Sequence, residues 1–233
     1  MKASTTCWIA CGMFAGGVMG AEPEKPGGPS VDARVQAVIH EVEKACLDRS
    51  VCMIGRKKAV RLAELVRAAQ PELIVECGTA IGYSGLWIAR ELKAAGRGRL
   101  VTIEVSPDRA KEAEANFRRA GLHEYVTIEV GDARKVVGRI EGPIVFLFVD
   151  CGYANYHPIF VKLEERLRRG AVVVADNVGI GARGMDDYLQ LVRSKYRSKT
   201  EWFNLELPWA KRDAMEVTVI APRSEREPKQ KKQ

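Results

Sequence analysis

The sequence predicts an α/β fold built on a mainly parallel sheet, and three observations carry that reading. From residue 72 onward, short apolar runs alternate with helical patterns, the order that places crossover helices between parallel strands. Three of the runs end on residues with chemistry: Glu76-Cys77-Gly78-Thr79-Ala80-Ile81-Gly82, Val149-Asp150 and Ala175-Asp176-Asn177. Ligands of an open α/β sheet bind outside the carboxyl ends of its strands. A glycine turn and three oxygen-bearing side chains are therefore expected at one crevice. The turn suits a nucleotide-like cofactor, and the oxygens suit a hard divalent cation.

Each element has its own signal. Residues 21–30, with three prolines and two glycines, read as a linker. Val31, Val35, Val38, Ile39 and Val42 recur at helical spacing and predict a helix over 31–46. A second helix over 56–69 stops ahead of Pro71, because the residue before a proline is driven out of the α region. Leu73-Ile74-Val75 is a buried strand, 83–95 a helix closed by Gly96, and 100–105 a strand. Ser106 caps the next helix, Pro107 pre-forms its first turn, and Gly121 ends it. Strands follow over 125–130 and 144–150, then a helix over 158–169 ended by Gly170, a strand over 171–176 and a helix over 186–195. The runs 201–207 and 215–221 alternate and predict a terminal antiparallel hairpin, giving a seven-stranded sheet with helices on both faces.

Of 233 residues, 46% are hydrophobic and 29% charged, enough for one domain over 31–222 with a sizeable core. The net charge of +7 is concentrated: residues 223–233 supply +3 and read as a solvated, disordered basic tail. No aromatic residues interleave with those bases, so a small molecule rather than nucleic acid is the expected partner. Residues 1–20 read as an export segment. Lys2 is the only charge before Glu22, residues 7–18 are apolar or small, and Val18 and Gly20 have the spacing of a cleavage site. The stretch is too short to span a bilayer, so no stable membrane span is expected. The expected location is periplasmic or secreted, with a cytoplasmic chain as the alternative; the oligomeric state stays open. Outside that segment, Cys46, Cys52, Cys77 and Cys151 lack metal-type or CxxC spacing and read as buried thiols. Cys77 and Cys151 end two strands that can be neighbours, a pair open to oxidation in an exported chain.

The glycine turn reads Glu76-x-Gly78-x-x-x-Gly82, not the GxGxxG of dinucleotide sites, which argues against a nicotinamide oxidoreductase. Gly78 lets the backbone pass close to a ligand. Glu104 ends the following strand, where an acidic side chain can accept hydrogen bonds from ribose hydroxyls. Gly131-Asp132-Ala133 follows the third strand and borders an adenine pocket.

These segments, with Tyr83-Ser84, Thr102-Ile103, Ala120-Gly121-Leu122, Val126-Thr127-Ile128 and Val178, stand in the order and spacing of the catechol O-methyltransferase family, including its caffeoyl-CoA-type members. The sequence resembles that family over residues 53–220. The resemblance implies a single Rossmann-like class I methyltransferase domain that O-methylates a small catechol-like acceptor. It implies S-adenosylmethionine binding by Ile54, Glu76, Ser84, Glu104 and Ala133, with Asp132 beside them and Gly78 and Asp150 at the same strand ends. It also implies Mg²⁺, or another divalent cation, held by Asp150, Asp176 and Asn177. Two carboxylates and an amide oxygen leave positions on an octahedral cation that vicinal hydroxyls can fill. The cation then lowers the hydroxyl pKa and aims its oxygen at the sulfonium methyl for in-line displacement.

The sequence departs from the family at its general base, a lysine three residues after the first metal aspartate. Asp150-Cys151-Gly152-Tyr153 places Tyr153 there, and a phenol of pKa about 10 is a poor base at neutral pH. Tyr153 reads as a wall residue, and no catalytic residue is assigned. For the acidic residue that the family places in its last hairpin to hold the second hydroxyl, Glu206 is the nearest candidate. A same-fold methyltransferase with a non-catechol acceptor, and a cofactor-binding protein without catalysis, remain open. Export would also separate the chain from S-adenosylmethionine made in the cytoplasm.

Overall fold

A computed structural model describes residues 31–222. The expected export segment, linker and basic tail lie outside the described residues. In chain order the elements are α1 (Val31–Asp48), α2 (Arg56–Ala69), β1 (Leu73–Cys77), α3 (Tyr83–Ala95), β2 (Arg99–Glu104), α4 (Pro107–Ala120), β3 (Val126–Val130), α5 (Ala133–Val136), β4 (Ile144–Val149), α6 (Tyr156–Leu163), β5 (Leu167–Ala175), α7 (Asp186–Lys195), β6 (Tyr196–Leu207) and β7 (Ala210–Pro222). The seven strands form one sheet in the order β3-β2-β1-β4-β5-β7-β6. β1 to β5 run parallel, and β7 pairs antiparallel with both β5 and β6.

The predicted punctuation is largely where the helices stop. Gly96 and Gly121 adopt the left-handed conformation at the ends of α3 and α4, and the Ser106 side chain accepts the Arg109 N–H at the start of α4. One boundary moves. The helix expected over 158–169 ends at Leu163, a 3₁₀ turn spans Glu164–Arg166, and β5 begins at Leu167. Gly170 therefore lies inside a strand rather than at a helix end, at φ 87°, where β5 shifts register against β4.

Alternation across the central strands divides the core. Phe146 and Phe148 of β4 pack with Ile39, Leu62, Leu86 and Phe117 under α1 to α4. Leu147 and Val149 pack with Tyr156, Phe160 and Tyr188 under α6 and α7. The four cysteines described are free, so Cys77 and Cys151 do not form a disulfide. Burial pushes the Cys77 thiol well up and that of Cys151 to about 12. Among the described residues, no helix is long and apolar enough to cross a membrane. Strand order reverses between β1 and β4, so the carboxyl ends of these two strands open onto the crevice typical of this topology.

Candidate active site

A crevice of about 440 Å³ opens at that switch point, and Gly78, Glu104, Asp132, Ala133 and Asp150 all line it. Gly78 sits at φ 111°, and a β-carbon there would fall 1.8 Å from the Asp150 carbonyl oxygen. The glycine is thus required first by the end of β4, which crosses directly behind the turn. Both oxygens of Glu104 are fixed by main chain: the Ala80 N–H donates to one at 2.8 Å and the Ser106 N–H to the other at 2.9 Å. This aims a rigid, buried carboxylate at the crevice with acceptor capacity left over.

Other predicted cofactor residues stand further back. Glu76 is wholly buried and does not line the crevice; Ser84 Oγ and Thr102 Oγ1 each donate to it at 2.6 Å. Burial raises its carboxyl to about 7 in spite of those two bonds. Ile54 packs in the core, and Val51 and Cys52 of the same loop line the crevice instead. Asp132 caps α5 through the Arg134 N–H and pairs with the Arg134 guanidinium at 2.6 Å. That pairing holds its carboxyl below the usual range.

The predicted metal ligands lie at the ends of β4 and β5. Asp176 is fully buried; one of its oxygens accepts from Lys58 Nζ at 2.6 Å, and the other has no hydrogen-bond partner. Lys58 also donates to Asp213 at 2.5 Å. Sequence reasoning passed over both residues. Lys58 had a signal, since it stands in the buried stripe of α2 with Ala59, Leu62, Ala63 and Val66, whereas Asp213 follows Lys211 and Arg212 and looks like a solvated turn. Burial, then the charge of Asp176, drive the Asp150 carboxyl far above its ordinary value, and Lys58 offsets only part of this. Burial likewise lifts Asp176 to about 6 against the pull of Lys58. For Asp213, burial is outweighed by the bonds from Lys58 and Asn177, and its carboxyl stays low.

Three carboxylates therefore face one ammonium group, with a buried carboxylate oxygen unpartnered. The donor set is hard oxygen, as Mg²⁺ requires. Among the described residues no three His, Cys, Asp or Glu side chains are grouped to hold a metal; the set expected from the sequence takes its third oxygen from the Asn177 amide. Tyr153 lies over the loop after β5, its ring filling the space that β-carbons at Gly181 and Gly184 would take. Burial and the neighbouring Asp213, Asp150 and Asp176 raise its phenol above the ordinary value. Glu206 is not brought to this crevice: strand alternation turns Leu205 and Leu207 inward and Glu206 outward, 3.8 Å from Lys57, beside a separate pocket.

The sheet order, with an acidic residue closing β2 and a glycine turn closing β1, defines a class I methyltransferase domain. Residues 75–178 match the methyltransferase domain family. The chain is 32% identical over 174 residues to catechol O-methyltransferase of Sus scrofa, covering 71% of this chain and 91% of that one. It is 30% identical over 184 residues to the Bos taurus enzyme of that name, covering 76% of this chain and 66% of the bovine one. The structure matches an O-methyltransferase from Bacillus cereus in complex with SAH at a TM-score of 0.68 and 25% identity, over 82% of this chain and 91% of that chain. The chain belongs to the catechol O-methyltransferase family.

Proposed function

We propose that this chain transfers a methyl group from S-adenosylmethionine to a hydroxyl of a small catechol-like acceptor, with a divalent cation held by Asp150, Asp176 and Asn177. The observation that supports the cation most is Asp176, whose buried, unpartnered oxygen sits beside two further carboxylates and a single lysine. When bound, S-adenosylmethionine supplies an activated methyl, and the cation supplies acidity toward the acceptor hydroxyl. The chain's own residues hold and orient. Glu104, pinned by Ala80 and Ser106, accepts from ribose hydroxyls. Gly78 and Ala133 line the floor. Tyr153 keeps its proton at neutral pH and serves as a wall, not as the base.

Turnover of a catechol panel with S-adenosylmethionine, for the wild type and Asp176→Ala, tests this reading. Turnover is expected to vanish in excess EDTA and in the variant, while calorimetric affinity of the variant for S-adenosylhomocysteine persists. Full activity in EDTA refutes the cation. Tyr153 at the family's lysine position favours one second reading, a cofactor binder without catalysis. That reading would show as S-adenosylhomocysteine binding with no turnover on any acceptor.

A further inference from the structure

We infer that Asp213 is the positioning residue of the cation site, orienting the Asn177 amide and, through Lys58, the Asp176 carboxylate; this rests on the cation reading above. The Asp213 side chain is 1% exposed, and its two oxygens take four donors. Lys58 Nζ at 2.5 Å and Asn177 Nδ2 at 3.0 Å share one oxygen. The main-chain N–H groups of Gly179 at 3.0 Å and Ile180 at 2.9 Å share the other. One side chain on β7 thus ties down a helix, a candidate ligand and the loop that follows β5.

The chemistry of the contacts fixes which way the ligands face. An ionised carboxylate only accepts, so the Asn177 amide must turn its nitrogen toward Asp213 and leave its oxygen for a hard cation. Asn177 sits at φ 58°, a left-handed conformation that asparagine adopts more readily than most non-glycine residues. Lys58, held between Asp213 and one oxygen of Asp176, leaves the other oxygen of Asp176 without a partner. The loop sits so close that a β-carbon at Gly179 would lie 2.7 Å from Asp213 Oδ1 and 2.9 Å from the Ala214 nitrogen. Such packing holds the loop after β5 against Asp213.

Asp213→Asn preserves size but offers one acceptor oxygen and one amide nitrogen. That nitrogen must face either Lys58 and Asn177 or the two loop N–H groups, and donors oppose donors in both cases. Free Mn²⁺ measured by electron paramagnetic resonance gives the cation affinity. S-adenosylhomocysteine calorimetry and thermal melting of the same samples report the cofactor site and the fold. The expected result is Mn²⁺ affinity weakened by about tenfold or more, the usual range for residues that orient metal ligands, with S-adenosylhomocysteine affinity retained. Unchanged Mn²⁺ affinity in folded D213N overturns the inference, and so does an equal loss of both ligands, which would mark a general structural role. A wild type that binds Mn²⁺ beside an unaffected variant overturns the inference alone; a wild type without Mn²⁺ affinity overturns the cation reading with it. Should D213N not fold, Asp213→Glu, which keeps the charge opposite Lys58 and displaces the carboxylate by one methylene, is expected to weaken Mn²⁺ binding in the same way, and unchanged affinity there overturns the inference.

Discussion

Replacing Glu76 by glutamine removes a proton-binding site that burial has moved into the neutral range. Glu76 is fully buried at the end of β1, with Ser84 Oγ and Thr102 Oγ1 each 2.6 Å from its carboxyl. Its carboxyl rises from 4.5 to about 7, chiefly through desolvation, with the two hydroxyl bonds opposing. At about 1.4 kcal/mol per pH unit, that difference between folded and unfolded chain amounts to about 3 kcal/mol. The sign follows from the direction. The folded chain holds this proton more tightly than the unfolded one, so the contribution is fully present below pH 4.5 and is lost as the pH rises through 7. Glutamine does not titrate. Urea denaturation of wild type and Glu76→Gln without cofactor, from pH 4.5 to 8, should therefore show the stability gap moving toward the variant by about 3 kcal/mol. Buried carboxyls that do not feel Glu76, Asp176 among them, titrate in both proteins and cancel in the difference; Asp150, which the Glu76 charge helps to raise, is relieved in the variant and moves the gap in the same direction. Parallel stability profiles for the two proteins would refute the claim that Glu76 is protonated by its environment.

Two further outcomes concern single residues at the site. In Gly78→Ala the new β-carbon, 1.8 Å from the Asp150 carbonyl, should cost more than about 4 kcal/mol; a melting temperature within about 2 °C of wild type, less than 1 kcal/mol at this size, would refute the contact. Tyr153→Lys should raise the neutral-pH rate on a catechol, modestly and well short of the roughly 100-fold a well-placed base can supply, and move the pH–rate profile toward lower pH. An unchanged profile would show that proton removal does not limit the wild type.

The strand ends were legible because apolar runs of three to six residues stop abruptly at Glu76, Asp150 and Asp176, and parallel strands buried on both faces cannot hide such a break. Glu104 was legible as the acidic residue near the end of the strand that follows the glycine turn. Where the chemistry depends on which way a side chain faces, the sequence was weaker. Glu206 had the right type and neighbourhood, but the two-residue period of β6 turns it away from the crevice. Lys58 and Asp213 are 155 residues apart, and only the fold brings α2 under β7. The early end of α6 was missed because Glu164–Arg166 has good helix formers, and the pairing of β5 with β4 overrides that propensity.

The departure at Tyr153 is more than one exchanged side chain. Its ring occupies the volume above Gly181 and Gly184, where β-carbons would approach its atoms to 2.7 and 2.9 Å. The aromatic group and the two glycines therefore fit only as a set. An alanine at either glycine would push the ring off the loop, and a shorter side chain at 153 would leave the loop uncovered. The cofactor end makes no such change: Gly78 and Glu104 line the crevice, and Glu76 and Ser84 support it from behind. At the position of the expected amine stands a phenol that keeps its proton, packed on a loop without β-carbons at residues 181 and 184. That pattern separates two consequences. Under the proposed function, cofactor binding should follow the family, whereas Tyr153 and the loop beneath it would shape the acceptor and the route of its proton. Acceptor profiles of Tyr153 variants are therefore more informative about this chain than those of the cofactor residues.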